Sequence, residues 1–280
     1  MGDSFVILNG QAILKENANI SIFDKAMFFD FAVYDSLKII KGTPFFPQFH
    51  AERLLESAKL IGIKHDFTKD FIIDSYNLLI EKNNIQNGTA RVLFLGAGDE
   101  TEIPRLYMFP LGLTFYPDKF YSNGVKVITF EGERNFPQSK TKDLTLSFVA
   151  YREAKNKEAL DALLIDRDGF IREGTRTNFF AVKDGKIHTA PLADVLEGIT
   201  RKILVKLARE NDIEIVEEKV DPKKINEYQE FFITSTSMNV MPIVKINDNI
   251  VSKEVGPITK KMIKLFREYY NREVFEENSK

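Results

Sequence analysis

Four dipeptides that end in glycine, Asn9-Gly10, Lys41-Gly42, Asp168-Gly169 and Asp184-Gly185, each interrupt a stretch rich in apolar and β-branched residues. Glycine accepts the positive φ angles of a tight reversal, so each pair marks a place where a strand ends and turns back. A chain punctuated in this way must spend much of its length in antiparallel strands. Residues 5–8 and 11–14 read as one hairpin and residues 33–40 and 43–46 as a second. The third turn follows a strand at 162–166, and a strand pattern over 170–183 continues to 186–189 across the fourth. Further strands are expected at 90–95, 106–115, 125–130 and 231–234.

Helical spacing of apolar residues separates these strands. Leu54, Leu55, Ala58 and Ile61 share one face of a helix over 49–61, and Ile203, Leu204, Leu207 and Ala208 do so over 200–210. Helices are also expected at 71–82, 143–156 and 257–270. Tyr116-Pro117-Asp118 reads as a linker. Strands and helices interleave without a strict βαβ rhythm, which points to an α+β fold in two domains, 1–117 and 118–280.

Composition narrows the chemistry. The 280 residues are 44% hydrophobic, enough to bury substantial cores, and 39 basic side chains nearly balance 41 acidic ones. No cluster of lysine and arginine is dense enough to follow a nucleic-acid backbone, so no nucleic-acid partner is expected. There is no cysteine, and the histidines His50, His65 and His188 lack metal-ligand spacing, so no metal site is expected. No run of about 20 apolar residues suggests a membrane span, and the amino terminus lacks the pattern of a secretion signal, so a cytoplasmic location is expected. Catalysis is left to lysine, carboxylates, tyrosine, hydroxyls and a bound cofactor.

Several segments suit that last option, each with an ordinary alternative. Gly198-Ile199-Thr200-Arg201 opens a helix, where free amides and the helix dipole favour an anion, although many plain helix starts look the same. Thr234-Ser235-Thr236-Ser237 offers hydroxyls and amides, or simply a turn. Arg53 is either a charge partner for that anion or a surface arginine. Lys142 and Glu173 read equally as a solvated lysine and an exposed strand carboxylate.

The ordered set Glu52-Arg53-Leu54, Lys142-Asp143-Leu144, Glu173 to Phe180 (EGTRTNFF), Leu196 to Arg201 (LEGITR) and Thr234 to Ser237 (TSTS) resembles the class IV aminotransferases. This is the fold-type IV pyridoxal phosphate (PLP) family of branched-chain aminotransferases, D-amino-acid aminotransferases and aminodeoxychorismate lyase. The resemblance spans nearly the whole chain, from Asn9-Gly10 to Gly256-Pro257-Ile258-Thr259-Lys260. It implies a small α/β domain and a larger pseudo-barrel domain that carries the cofactor lysine. It further implies that Lys142 holds PLP as a Schiff base and, once displaced by substrate, shuttles a proton between substrate and cofactor. By the same resemblance Glu173 faces the pyridine nitrogen. Arg53, the amides of Ile199 and Thr200, and Ser235 and Thr236 would hold the phosphate, and Leu196 would pack on the ring.

Resemblance also suggests a substrate. The segment from Ala26 to Asp35 (AMFFDFAVYD) lines the side-chain pocket in the family and usually contains a glycine, absent here. Phe29 and Tyr34 would give that pocket an apolar wall, and Arg91 matches an arginine near the substrate in branched-chain enzymes. Thr89 stands where those enzymes have a carboxylate-binding tyrosine. The loop Gly96 to Thr101 (GAGDET) lacks the arginine and histidine of D-amino-acid aminotransferases. The expected activity is therefore ping-pong transamination between an apolar, branched-chain-type amino acid and 2-oxoglutarate by a homodimer. D-amino-acid or (R)-amine transamination, or aminodeoxychorismate cleavage, is the alternative.

Overall fold

A computed structural model describes residues 4–99 and 102–273, so Glu100 and Thr101 of the loop above lie outside the described residues. The chain divides into two compact units, residues 1–114 with 139–143, and residues 115–138 with 144–280. The short segment Ser139–Asp143, which carries Lys142, groups with the first unit.

In the first unit, β1 (Phe5–Leu8) and β2 (Gln11–Leu14) form the expected hairpin around Asn9 and Gly10, whose φ angles are 46° and 78°. A four-residue helix, α1 (Lys25–Phe28), precedes β3 (Ala32–Ile40) and β4 (Thr43–Pro44), joined at Lys41 and Gly42 with φ of 50° and 76°. Helices α2 (Pro47–Leu60) and α3 (Lys69–Asn83) follow, then β5 (Asn87–Leu95) and β6 (Arg105–Leu111). All six strands pair antiparallel in the order β2-β1-β6-β5-β3-β4.

Alternation along β3 decides what this sheet can do. Val33, Leu37 and Ile39 join Leu54 and Ala58 of α2, Ile72 and Leu79 of α3, and Val92 and Phe94 of β5 in one buried core. Asp35 lies on the same face of β3 by its period of two, so its carboxylate enters that core. Tyr34, Ser36 and Lys38 take the other face, where Arg91 stands directly opposite Ser36.

The second unit opens with α4 (Asp118–Asn123) and β7 (Val125–Glu131), then α5 (Thr145–Asn156), β8 (Ala162–Ile165) and β9 (Ile171–Gly174). After these come β10 (Asn178–Lys183), β11 (Lys186–Thr189), α6 (Ile199–Glu210) and β12 (Ile215–Glu217). Strands β13 (Glu230–Ser235), β14 (Asn239–Ile246) and β15 (Asn249–Ile250) precede α7 (Pro257–Asn271). The sheet runs β12-β11-β10-β13-β14-β7-β8-β9, and β9 pairs back to β10 through Glu173 and Asn178. Strands β10, β13, β14, β7, β8 and β9 thus close into a barrel, as expected of a two-domain α+β fold with a pseudo-barrel. The pair that closes it includes a candidate site residue.

Four local expectations need correction. The strand over 170–183 is broken at 175–177, because the Thr175 and Thr177 hydroxyls donate to the buried Asp161 carboxylate at 2.5 and 2.8 Å. The strand expected to reach 115 ends at Leu111, opposite Thr89, near the start of its partner β5. The linker around Tyr116 to Asp118 runs into α4, whose Phe120 and Tyr121 pack on the barrel core. The return strand of the second hairpin, expected over 43–46, stops at Pro44 because the chain enters α2 at Pro47. Strand β14, for which the sequence carries no expectation, places Pro242 opposite Phe232.

Candidate active site

In the first unit, the backbone of 139–143 lies along the start of β3. The Tyr34 amide donates to the Lys140 carbonyl and the Lys142 amide to the Ala32 carbonyl, both at 2.9 Å, and Thr141 bridges Val33. Ser139 Oγ donates to the Ser57 carbonyl, and Ser57 Oγ accepts from the Lys140 amide, both at 3.0 Å. These bonds explain why α5 begins at Thr145 rather than at 143: the preceding backbone is paired as an extended segment. Lys142 Nζ forms an ion pair with Asp30.

Arg53 is not a surface arginine. Its Nε and Nη2 donate to the two Asp35 oxygens at 2.9 and 2.7 Å, and His50 Nδ1 lies 2.8 Å from Asp35 Oδ1. Burial alone would raise the Asp35 pKa, but the charges of Arg53 and His50 more than offset it and hold the carboxyl well below its ordinary range. Asp35 thereby fixes the plane of the guanidinium through two donated hydrogen bonds.

The opposite face of the sheet is cationic. The Arg91 guanidinium and Lys140 Nζ approach the Tyr34 ring at 5.2 and 4.6 Å, and burial pushes Lys38 down to about 8. Arg91 Nε is buried with no hydrogen-bond partner among the described residues. Phe29 is 74% exposed at the end of α1, packed edge-on against Phe28.

In the second unit, Glu173 is 6% exposed. Its carboxylate accepts from Arg134 Nη1 at 3.2 Å and from the Leu196 amide at 3.4 Å. Asn178 Nδ2 donates to the Leu196 carbonyl at 2.8 Å, and a Cβ on Gly198 would collide with Asn178 Oδ1. The barrel closure, Leu196 and the start of α6 are therefore one assembly. The N-cap of α6 is Gly198, with no side-chain cap, so the first amides are those of Ile199 and Thr200. Across β10, Asn178 stands opposite Thr234; beyond it Ser235 Oγ lies 3.3 Å from Ser237 Oγ and accepts from the Met238 amide, while Thr236 occupies the turn. These groups fit a phosphorylated, aromatic, cationic cofactor: an uncapped helix start, hydroxyls on the neighbouring strand end, and a buried carboxylate steadied by an arginine.

The structure thus gathers Lys142, Arg53, Tyr34 and Arg91 around β3, and Glu173, Leu196, Ile199, Thr200, Ser235 and Thr236 around the barrel closure. Sequence reasoning missed Asp35, His50, Arg134 and Asp161. Only Asp35 had a usable signal, a carboxylate on the apolar face of an alternating strand. Arg134 lies in irregular chain and has none.

The class IV amino-transferase family profile matches residues 32–246, most of the chain. A Methanocaldococcus jannaschii protein assigned as a branched-chain-amino-acid aminotransferase is 31% identical over 275 residues, covering 94% of this chain and 95% of its own. A D-alanine aminotransferase of Staphylococcus epidermidis is 30% identical over 279 residues, covering 94% and 97%. In fold, the Escherichia coli branched-chain aminotransferase superposes with a TM-score of 0.89 at 21% identity, covering 98% of this chain and 97% of that one. The chain belongs to the class IV aminotransferases, a family of PLP-dependent enzymes.

Proposed function

We propose that this enzyme exchanges an amino group between an apolar, branched-chain-type amino acid and 2-oxoglutarate by a ping-pong mechanism, with PLP anchored on Lys142. The observation that carries the reading is Glu173: a carboxylate only 6% exposed, steadied by Arg134 and joined through Leu196 and Asn178 to an uncapped helix start. When bound, the cofactor supplies the electron sink that makes the substrate α-proton labile. Glu173 would keep the pyridine nitrogen protonated through its charge. Arg53, held flat by Asp35, would bind the phosphate together with the Ile199 and Thr200 amides, Ser235 and Thr236. Leu196 would pack on the ring. Lys142, neutral once released, would carry the proton at the α-carbon.

Substrate selection would fall to the Tyr34 face. Tyr34 and Phe29 offer apolar surface to a branched side chain, and Arg91 offers a charge to the second carboxylate of 2-oxoglutarate. The D-alanine aminotransferase relative supports a second reading, D-amino-acid transamination on the same cofactor.

A donor panel separates the two. The purified enzyme should be yellow, its absorption band should shift on adding L-leucine or L-glutamate, and both should react at least about tenfold faster than D-alanine, a margin a few side-chain contacts can supply. A preference for D-alanine would sink the branched-chain reading. Pyruvate release from aminodeoxychorismate would redirect it to lyase chemistry.

A homodimer in the cytoplasm completes the proposal. No helix of the described residues is long and apolar enough to cross a membrane. Ile22, Phe23, Phe28 and Phe29 expose a concentrated apolar surface around α1, more than isolated surface residues account for. Sedimentation equilibrium should give twice the chain mass, and Phe23→Glu with Phe28→Glu should shift it toward the monomer. A monomeric wild type would overturn this part.

A further inference from the structure

Within the LEGITR segment, Arg201 is the third residue of α6, and its side chain is the largest fully buried one among the described residues, 1% exposed. Its Nη2 donates to the Ala190 carbonyl, eleven residues back along the chain, and to Glu217 Oε1, both at 3.2 Å. Its Nε is buried and finds no acceptor among the described residues. Burying a guanidinium with an unmet N–H costs stability, and an apolar side chain of similar size would fill such a place as well or better. Stability therefore accounts poorly for an arginine here. Placement of the surrounding backbone accounts for it better.

The bonds show what is placed. Residues 190–198 connect β11 to α6 and carry Leu196 near their far end, where its amide donates to Glu173 and its carbonyl accepts from Asn178. At the near end Arg201 takes the Ala190 carbonyl. Glu217 ties the same guanidinium to β12, where it pairs with Thr189 of β11. The first turn of α6 is thus clamped from two directions: Gly198 lies against Asn178, where a Cβ would have no room, and Arg201 reaches back to the end of β11. No side chain caps this turn, so its leading amides are those of Ile199 and Thr200. An anion held by backbone amides needs them aimed correctly, since a hydrogen bond weakens steeply as it bends.

We propose that Arg201 is a positioning residue for the cofactor phosphate: by gripping the Ala190 carbonyl and Glu217 it sets the first turn of α6 so that the Ile199 and Thr200 amides meet the phosphate. The inference rests on the phosphate lying at that helix start, and it does not depend on which lysine holds the cofactor. Arg201 acts through those amides, while its own guanidinium is engaged by Ala190 and Glu217.

Pyridoxamine 5′-phosphate and pyridoxamine test this without a covalent bond, because neither can form an imine with a lysine. Titration of the full-length chain, stripped of cofactor and followed by ligand fluorescence, gives the affinity of each, and their ratio isolates the phosphate. Arg201→Met keeps the volume and removes the bonds, and Glu217, 34% exposed, is left able to meet water. The variant should bind pyridoxamine 5′-phosphate about three- to tenfold more weakly, the range of a weakened anion contact at a helix start, and pyridoxamine within about twofold of wild type. Arg201→Lys, which keeps a donor for the Ala190 carbonyl, should recover most of the loss. Unchanged affinity of Arg201→Met for pyridoxamine 5′-phosphate would overturn the proposal. So would equal losses for both ligands, the mark of a merely structural arginine. Ile199→Pro tests the premise separately: it removes one amide, and proline suits the first helical position after Gly198, whose ψ is 138°. If Ile199→Pro leaves the preference for the phosphorylated ligand intact, the helix start holds no phosphate and the role of Arg201 falls with it. If it erodes that preference and Arg201→Met does not, Arg201 alone falls.

Discussion

Lys142→Ala should lower transamination by about a thousandfold or more while leaving the fold intact. Under the proposed function two roles vanish together in this variant, the covalent anchor and the proton carrier, and a positioned proton carrier alone is worth about 10²- to 10⁴-fold. The fold should survive because Lys142 contributes to structure through its backbone: its amide bond to the Ala32 carbonyl persists with alanine. Its side chain pairs with Asp30, in a half-exposed pair whose loss costs at most about 1 kcal/mol. The measurements are a single-turnover rate with L-leucine, a thermal melt, and borohydride trapping. The variant should bind PLP reversibly, resist trapping, and regain part of its rate when a small primary amine is added. A variant that still traps the cofactor and turns over at the wild-type rate would show that another lysine does the work.

The fold was legible where local chemistry dictates it. The turns at Asn9-Gly10 and Lys41-Gly42 are visible because positive φ at two successive residues has few sequence solutions; the strands flanking the first follow to the residue, and those flanking the second differ only at their outer ends. Helices α2, α3, α6 and α7 are visible because their buried residues repeat at helical spacing. The break at 175–177 was not, because it depends on Asp161, a carboxylate from a different strand that captures two threonine hydroxyls. The same distinction divides the site. Motif order pointed to Lys142, Arg53 and Glu173. Their partners Asp30, Asp35 and Arg134 come from segments 18 to 112 residues away, and no local pattern joins them. Resemblance supplies the candidate groups; only the folded chain brings in the counter-charges beside them.

Asp35→Asn should be among the most destabilising substitutions in the first unit, by about 3–5 kcal/mol at neutral pH, because it leaves the Arg53 guanidinium in the core without its counter-charge. Its acid dependence is equally diagnostic. The Asp35 carboxyl is held below its unfolded value of 3.8, so the unfolded chain binds its proton first as pH falls. The stability it contributes is complete above about pH 4 and is lost as pH drops from there toward the folded value. His50 is also depressed, below 6.5, by burial with the charges of Arg53 and Lys140 outweighing the pull of Asp35. A base that is harder to protonate when folded contributes stability above its unfolded value and loses it on acidification, here from about pH 6.5 downward. Wild type should therefore weaken in two stages as pH falls. In the variant the lower stage shrinks by the share of Asp35, leaving that of other depressed carboxyls such as Asp24 and Asp166, and the upper stage steepens, since His50 loses the neighbour that favours its charged form. Urea midpoints followed by circular dichroism at pH 8, 5 and 3.5 read both effects. Equal midpoints at pH 8, or parallel acid slopes for the two proteins, would mean that Asp35 does not hold Arg53 as the geometry requires. The grip proposed for Arg53 on a cofactor phosphate would then have to be explained without it.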